Sequence, residues 1–280
     1  MKIENFLIVE KKQIESLQDK AKEIRRELST MLYLAGSGHW GSSLGLSDVL
    51  TVLFFGGILK YNPKKPDWKD RDRFILSNGH IAPLFYSILD EAGFFGDKKA
   101  LLRRTGSPLQ GHPSHLHLEA VETSTGPLGQ GVGVAVGKAI ALKMKKINSR
   151  VFCVLSDGEL EEGSSWEAIA SAGKYQLDNL IYILDRNHLQ ISGSTEEVSN
   201  LGNLALRFRD LGWEVYEVNG HDLAKILKVL NSINSKNKKP KLIIAKTIMG
   251  KGVKFIENDY HYHGRAPNEK EYLAAMELLK

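Results

Sequence analysis

The chain has 280 residues, 42% hydrophobic and 25% charged, with 38 basic against 33 acidic side chains and a formal charge of +5. These averages exclude collagen-like, disordered and disulfide-scaffold classes, and the length is ample for a core in one large domain or two small ones. Cys153 is the only cysteine, so no internal disulfide forms, and a reducing, cytoplasmic setting is expected.

The longest nearly apolar stretch, Val49 to Leu59, is far short of the roughly 20 residues a membrane helix needs. The opening segment carries Glu4 and Glu10 around its short apolar run and does not read as a signal peptide. Lysines gather at Lys143, Lys145 and Lys146 and again at Lys236, Lys238, Lys239 and Lys241, but no aromatic residues interleave them. Solvated helix ends and a loop explain them better than a nucleic-acid surface.

In chain order, Ile14, Leu17, Ala21, Ile24, Leu28 and Met31 recur at helical spacing and predict a long first helix that stops at Gly36-Ser37-Gly38. A second helix is predicted from the cap Ser47-Asp48 through the apolar run to Leu59. Phe74-Ile75-Leu76 reads as a buried strand halted by Ser77-Asn78-Gly79, with a helix following from Pro83 to Glu91. Gly126-Pro127-Leu128-Gly129-Gln130-Gly131 opens a helix, Val132 to Met144, in which Gly129, Gly133 and Gly137 repeat every fourth residue. Helical glycines each cost up to about 1 kcal/mol. Something therefore approaches that face closely, either this chain's own sheet or a neighbouring protomer.

Beyond residue 150 the alternation is regular. Val151–Leu155, Leu180–Leu184, Val215–Val218 and Leu242–Ala245 read as strands, and Trp166–Tyr175, Leu204–Leu211 and Leu223–Ile233 as the helices between them. The pattern predicts an α/β fold, a doubly wound, mostly parallel sheet with helices on both faces, forming one domain over residues 1–280. Ligands of such sheets bind beyond the carboxyl ends of the strands.

Asp157-Gly158 follows one strand and Asn187 the next, about one βαβ unit apart, so the two tips should be neighbours. A carboxylate and an amide oxygen there suit Mg²⁺ shared with phosphate oxygens, and Gly158 with a following helix N-terminus suits the anion. The plainer reading, a helix cap at Asp157 and a turn at Asn187, is equally open on the spacing alone. His39, His80, His112 and His263 all sit beside a glycine in turn-like settings, as does His221. Several loop histidines of this kind point to ring nitrogens aimed at a polar ligand, and their spacing fits no zinc motif.

Together these residues resemble the thiamine diphosphate-binding half of the transketolases. The resemblance rests on SGHWGSSLG (37–45), LSNGH (76–80), GHP (111–113), TGPLGQG (125–131), SDGELEEGSSWEA (156–168), DRNHLQISG (185–193), VNGHD (218–222), KTIMGKGV (246–253) and HGRAPN (263–268), in the family's own order. It implies that Asp157, Asn187 and the backbone carbonyl of Leu189 hold Mg²⁺ (with Ca²⁺ or Mn²⁺ able to substitute) against the cofactor's diphosphate. It also implies that Gly158, His80 and His263 contact the diphosphate or donor, and that Gly126 and Leu128 lie against the aminopyrimidine. His39, His80, His112 and His263 would bind ketose hydroxyls and move protons, and Glu162, counted with the catalytic and cofactor-binding residues, would join Glu167 in an acidic cluster linking two active sites.

The implied activity is transfer of a two-carbon ketol unit from a ketose phosphate to an aldose phosphate, the transketolase reaction of pentose phosphate metabolism. Full transketolases are more than twice as long, and the pyrimidine-binding domain with its glutamate is absent from these residues. A C-terminal partner subunit, giving an α₂β₂ assembly, is therefore expected. Two departures stand out: Ser156 replaces a glycine of the general cofactor motif, and Trp40 replaces a smaller residue beside His39, where it would reshape the donor pocket.

The rival readings are the alpha subunit of a 2-oxo acid dehydrogenase, a deoxyxylulose-phosphate synthase, or a non-catalytic binding subunit. The SGH, SNGH and GHP loops argue against the first, chain length against the second, and the retained Asp157, Asn187 and histidines against the third. Gly250-Lys251-Gly252 lacks the spacing and ending of a nucleotide phosphate loop.

Overall fold

Strongly apolar, β-branched segments flanked by amphipathic ones can hide both faces of a strand only beneath helices. A computed structural model describes residues 2–96, 98–233 and 237–280, with side chains from residue 11 onward. Strands β1 (Arg73–Leu76), β2 (Val151–Ser156), β3 (Leu180–Arg186), β6 (Glu214–Asn219) and β7 (Lys241–Lys246) form one sheet in the order β1-β2-β3-β7-β6. Every neighbouring pair in it is parallel. A two-stranded hairpin of β4 (Leu189–Gln190) and β5 (Gly193–Ser194) projects after β3.

The helices are α1 (Lys2–Ala35), α2 (Trp40–Gly45), α3 (Ser47–Phe55), α4 (Ala82–Glu91), α5 (Gln130–Met144), α6 (Gly163–Lys174), α7 (Thr195–Val198), α8 (Leu204–Asp210), α9 (Leu223–Ser232) and α10 (Glu269–Leu278). Alternate strand residues face opposite ways. Phe152, Val154, Ile181, Ile183 and Ile243 thus enter a core with α1, α3, α4 and α9. Val151, Cys153, Leu155, Tyr182 and Ile244 enter a second core with α5, α6 and α8. The doubly wound sheet is what the alternation implied.

The differences are local. The second predicted helix ends at Phe55 rather than Leu59, because Gly56 caps it and Gly57 turns the chain with φ 78°. Helix α2 has no apolar periodicity, since its WGSSLG residues are all buried. The hairpin and α7, with two to four residues each, are too short to show a period. Among the described residues no helix is long and apolar enough to cross a membrane.

Candidate active site

The carboxyl ends of β1, β2, β3 and β7 lie on one edge, and each feeds a loop that a hydrogen bond or a missing side chain fixes. After β1, Ser77-Asn78 leads into a short turn at Gly79–Ile81 that carries His80. A methyl on Gly79 would come within 2.9 Å of the Gly126 nitrogen. Gly126 itself adopts φ 151° and leaves only 3.0 Å between such a methyl and the His112 ring. The TGPLGQG turn is thereby pressed between the His80 turn and the His112 loop, and Thr125 Oγ1 donates to the Leu76 carbonyl at 2.6 Å.

His39 precedes α2, and His263 follows a short turn at Tyr260–Tyr262. These distant segments interlock: Gly250 N–H donates to the Gly41 carbonyl at 2.8 Å, and Ser42 Oγ lies 3.3 Å from His263 Nδ1. The result is a triangle of imidazoles with ring centroids 5.0 Å apart for His39 and His80, 5.6 Å for His39 and His263, and 5.2 Å for His80 and His263.

Burial holds these rings neutral. Desolvation, assisted by the neighbouring His263, Arg103 and His112, lowers the His39 pKa to about 4. Desolvation also carries His80 well below its ordinary value and lowers His263 and, with Arg103, His112. His39 Nδ1 is buried and has no hydrogen-bond partner among the described residues.

At the tips of β2 and β3, Ser156 pairs with Asp185 in ordinary extended register, so its side chain is accommodated. Asp157 is buried directly beyond it. Its Oδ1 accepts from Gly158 N–H at 2.9 Å; its Oδ2 accepts from His188 N–H at 2.7 Å and from Arg186 Nη1 at 3.2 Å. Desolvation raises its pKa against the opposing pull of Arg186 and those amides. Asn187 Nδ2 donates to Asp185 Oδ2 at 3.1 Å, and its Oδ1 accepts from Leu189 N–H at 2.8 Å. Asp185 is fully buried and its carboxyl is pushed up to about 7 by desolvation.

His39, His80, His112, Gly126, Leu128, Gly158, Asn187, Leu189 and His263 line one cleft of about 250 Å³, with Ser156, Gln190 and Ile191. Among the described residues no three His, Cys, Asp or Glu side chains cluster as a metal site of their own. A metal here would use the carboxylate, amide and carbonyl oxygens together with oxygens of a ligand, which is magnesium's habit. With Gly126 and Gly158 lining the cleft beside Asn187 and Leu189, these residues fit a diphosphate-bearing cofactor and its cation.

Glu162 does not line this cleft. It is exposed immediately before α6, and Glu167 borders a separate shallow groove between α5 and α6. His221 is also elsewhere: Nδ1 lies 2.9 Å from Asp48 Oδ2, Nε2 accepts from Ile248 N–H at 2.8 Å, and Asp48 is paired with Arg25. It ties loops to the core and faces no pocket ligand. Trp40 is corrected too. It is fully buried, donates from Nε1 to Ser29 Oγ at 2.9 Å and packs against Phe255 and Tyr262, so it supports His39 from behind without shaping the donor pocket. On the glycine face of α5, a methyl on Gly129 would collide with Ser164, whereas one on Gly133 or Gly137 would meet nothing. The chain's own sheet therefore does not explain the last two.

Sequence reasoning passed over Glu159. It is fully buried, and its Oε1 accepts from Ser77 Oγ at 2.5 Å and from Gly129 N–H at 2.7 Å. It thus pins the TGPLGQG turn to the tips of β1 and β2, and desolvation pushes its carboxyl up to about 7. The only sequence signal was an acidic residue two positions after Asp157, indistinguishable from its exposed neighbours.

The family model described as the transketolase thiamine diphosphate binding domain matches residues 17–278. The chain is 40% identical over 265 residues to one of the subunits of apulose-4-phosphate transketolase from Phocaeicola vulgatus, covering 94% of each protein. It is 35% identical over 265 residues to the 6-deoxy-6-sulfo-D-fructose transketolase subunit SqwG of a Clostridium species, covering 94% of this chain and 96% of that one. The crystal structure of transketolase from Campylobacter jejuni superposes with a TM-score of 0.89 at 40% identity, covering 94% of this chain but 42% of that one. The chain thus spans nearly all of the subunits it matches and about two fifths of the crystallised transketolase.

Proposed function

The chain belongs to the transketolase family, and from that premise we propose that it is the N-terminal subunit of a two-chain transketolase, one diphosphate-binding domain completed by a C-terminal partner in an α₂β₂ assembly. Its reaction would move a two-carbon ketol unit from a ketose phosphate to an aldose phosphate with Mg²⁺ and thiamine diphosphate, as in pentose phosphate metabolism. The observation that carries this is the triangle of neutral imidazoles facing the β2 and β3 tips across one cleft.

Asp157, Asn187 Oδ1 and the Leu189 carbonyl would hold the cation, and Gly158, His80 and His263 would meet the diphosphate or donor. Gly126 and Leu128 would support the aminopyrimidine. The bound cofactor supplies a nucleophilic carbon and an electron sink for carbon–carbon cleavage. The chain's residues handle protons. Cleaving the ketose C2–C3 bond requires the C3 hydroxyl to give up its proton, and a neutral imidazole can accept it and return it to the acceptor. His39, His80, His112 and His263 are all held in that neutral form. Exposed Glu162 could contribute only through a neighbouring chain, as the linking cluster requires.

The test is co-expression with the C-terminal partner chain and measurement of glyceraldehyde 3-phosphate released from xylulose 5-phosphate and ribose 5-phosphate. Release by the complex and none by the isolated chain is expected. Steady turnover by the purified 280-residue chain alone would overturn the two-chain reading, and silence of the complex with every ketose offered would overturn the activity.

A further inference from the structure

Three segments that reach the cleft from different parts of the chain meet at one buried side chain, Glu159. Its Oε1 accepts from Ser77 Oγ, at the foot of the His80 turn, and from Gly129 N–H, at the end of the TGPLGQG turn. Oε2 is buried without a partner among the described residues, so a single oxygen makes both bonds. Of the three glutamates in this loop, Glu161 is half-buried, Glu162 is exposed and Glu159 alone is fully buried. Burying a carboxyl group is costly unless hydrogen bonds offset it, so the two donors define what this side chain does.

The TGPLGQG turn is held at its two ends by different means. At the start, Thr125 Oγ1 donates to the Leu76 carbonyl at 2.6 Å and Thr125 N–H to the Pro113 carbonyl at 3.1 Å. At the end, Gly129 adopts φ 81° and opens α5 with no side chain of its own to cap it; Glu159 supplies the acceptor. Leu128, which lines the cleft, is the residue immediately before Gly129. The loop bearing Asp157 and Gly158 is fixed otherwise. Glu159 N–H donates to Ser156 Oγ at 3.3 Å, and the Glu159 carbonyl accepts from Ser165 Oγ at 2.8 Å. Asp157 has its own donors in Gly158, His188 and Arg186. Truncating the Glu159 side chain breaks none of these bonds, so one side of the cleft depends on this carboxyl group and the other does not.

We propose that Glu159 is a positioning residue for the cofactor: by holding Gly129 against Ser77 it sets Leu128 where the aminopyrimidine would lie, so that binding of the cofactor's ring half, and not of its diphosphate half, depends on it. This rests on the thiamine diphosphate reading above. Residues that orient the groups touching a ligand govern affinity almost as strongly as those groups themselves.

The test is calorimetry on the assembled two-chain complex with two probes, thiamine diphosphate and inorganic pyrophosphate, each with Mg²⁺. In Glu159→Leu the Kd for thiamine diphosphate should rise roughly tenfold to a hundredfold. The Kd for pyrophosphate should stay within about twofold, because the bonds of the Asp157 loop are separate. Glu159→Gln keeps an oxygen for both donors and should bring thiamine diphosphate back to within about threefold of wild type. A merely structural role would move both probes alike. Equal losses for the two probes, no loss for either, or a Glu159→Gln as weak as Glu159→Leu would overturn the assignment. So would a wild type that does not bind pyrophosphate, since the diphosphate half would then not stand alone. Should Glu159→Leu not fold, judged by its melting midpoint, Glu159→Asp decides: a carboxylate one methylene shorter cannot reach Ser77 and Gly129 together, and it must weaken thiamine diphosphate selectively. A wild-type complex without magnesium-dependent uptake of thiamine diphosphate would sink the cofactor reading and this assignment together, whereas uptake by wild type with indifferent variants sinks the assignment alone.

Discussion

Replacing His39 by Asn should change how stability responds to acid by a predictable amount. The folded pKa of about 4 lies below the ordinary 6.5, chiefly through desolvation. As pH falls the unfolded chain therefore takes up this proton first, and stability is lost between about 6.5 and about 4, with no further loss below. At pH 5 the unfolded ring is almost wholly protonated and the folded ring about one-tenth so, which costs about 2 kcal/mol relative to pH 7.5. Wild-type stability alone would hide this. Glu159 and Asp185, both pushed up to about 7, bind protons in the folded state over the same range and stabilise it as pH falls. Both carboxyls remain in His39→Asn, so the wild type minus variant difference isolates the histidine. Urea unfolding of both proteins at pH 7.5 and pH 5 should show wild type losing about 2 kcal/mol more than the variant. A difference below about 0.5 kcal/mol, or an imidazole titrating near 6.5 by NMR, would mean that the ring is not held neutral by burial.

Three further outcomes follow from the same geometry. Asp157→Ala should abolish magnesium-dependent uptake of thiamine diphosphate by calorimetry on the assembled complex, and unchanged uptake would remove the metal assignment. Glu159→Leu leaves the Ser77 hydroxyl and Gly129 N–H without their acceptor and should cost about 2–4 kcal/mol, while Glu159→Gln, which keeps an acceptor oxygen, should recover most of it in denaturant titrations. Gly131→Ala puts a methyl 2.7 Å from Ser77 Cα and should lower the melting midpoint, whereas Gly133→Ala meets nothing and should raise the chain's stability by about 0.5–1 kcal/mol. Equal effects at the two glycines would contradict the described packing of α5.

Much of this was legible because the strands are buried on both faces and so read as unbroken apolar runs, with their polar tips, Ser156-Asp157 and Asn187, standing out immediately after them. The four cleft histidines were found through their glycine neighbours, a signal that reports tight turns. The same signal does not separate out His221, because a ring between Asp48 and Ile248 leaves the same local pattern as one facing a ligand. Trp40 looked like a pocket residue because adjacency in sequence says nothing about which side of α2 a ring occupies. Glu159 was invisible for a related reason. Its significance lies in Gly129 and Ser77, partners that only the completed tertiary structure supplies.

The interlock that brings Ser42 against His263 joins positions 221 residues apart. Closing so long a loop is among the slow, entropically costly steps for a polypeptide, and nothing local favours it in advance. During synthesis, the sheet's first three strands can be complete before the segment bearing His263 has been made. The triangle of imidazoles is thus completed only after most of the sheet has been synthesised.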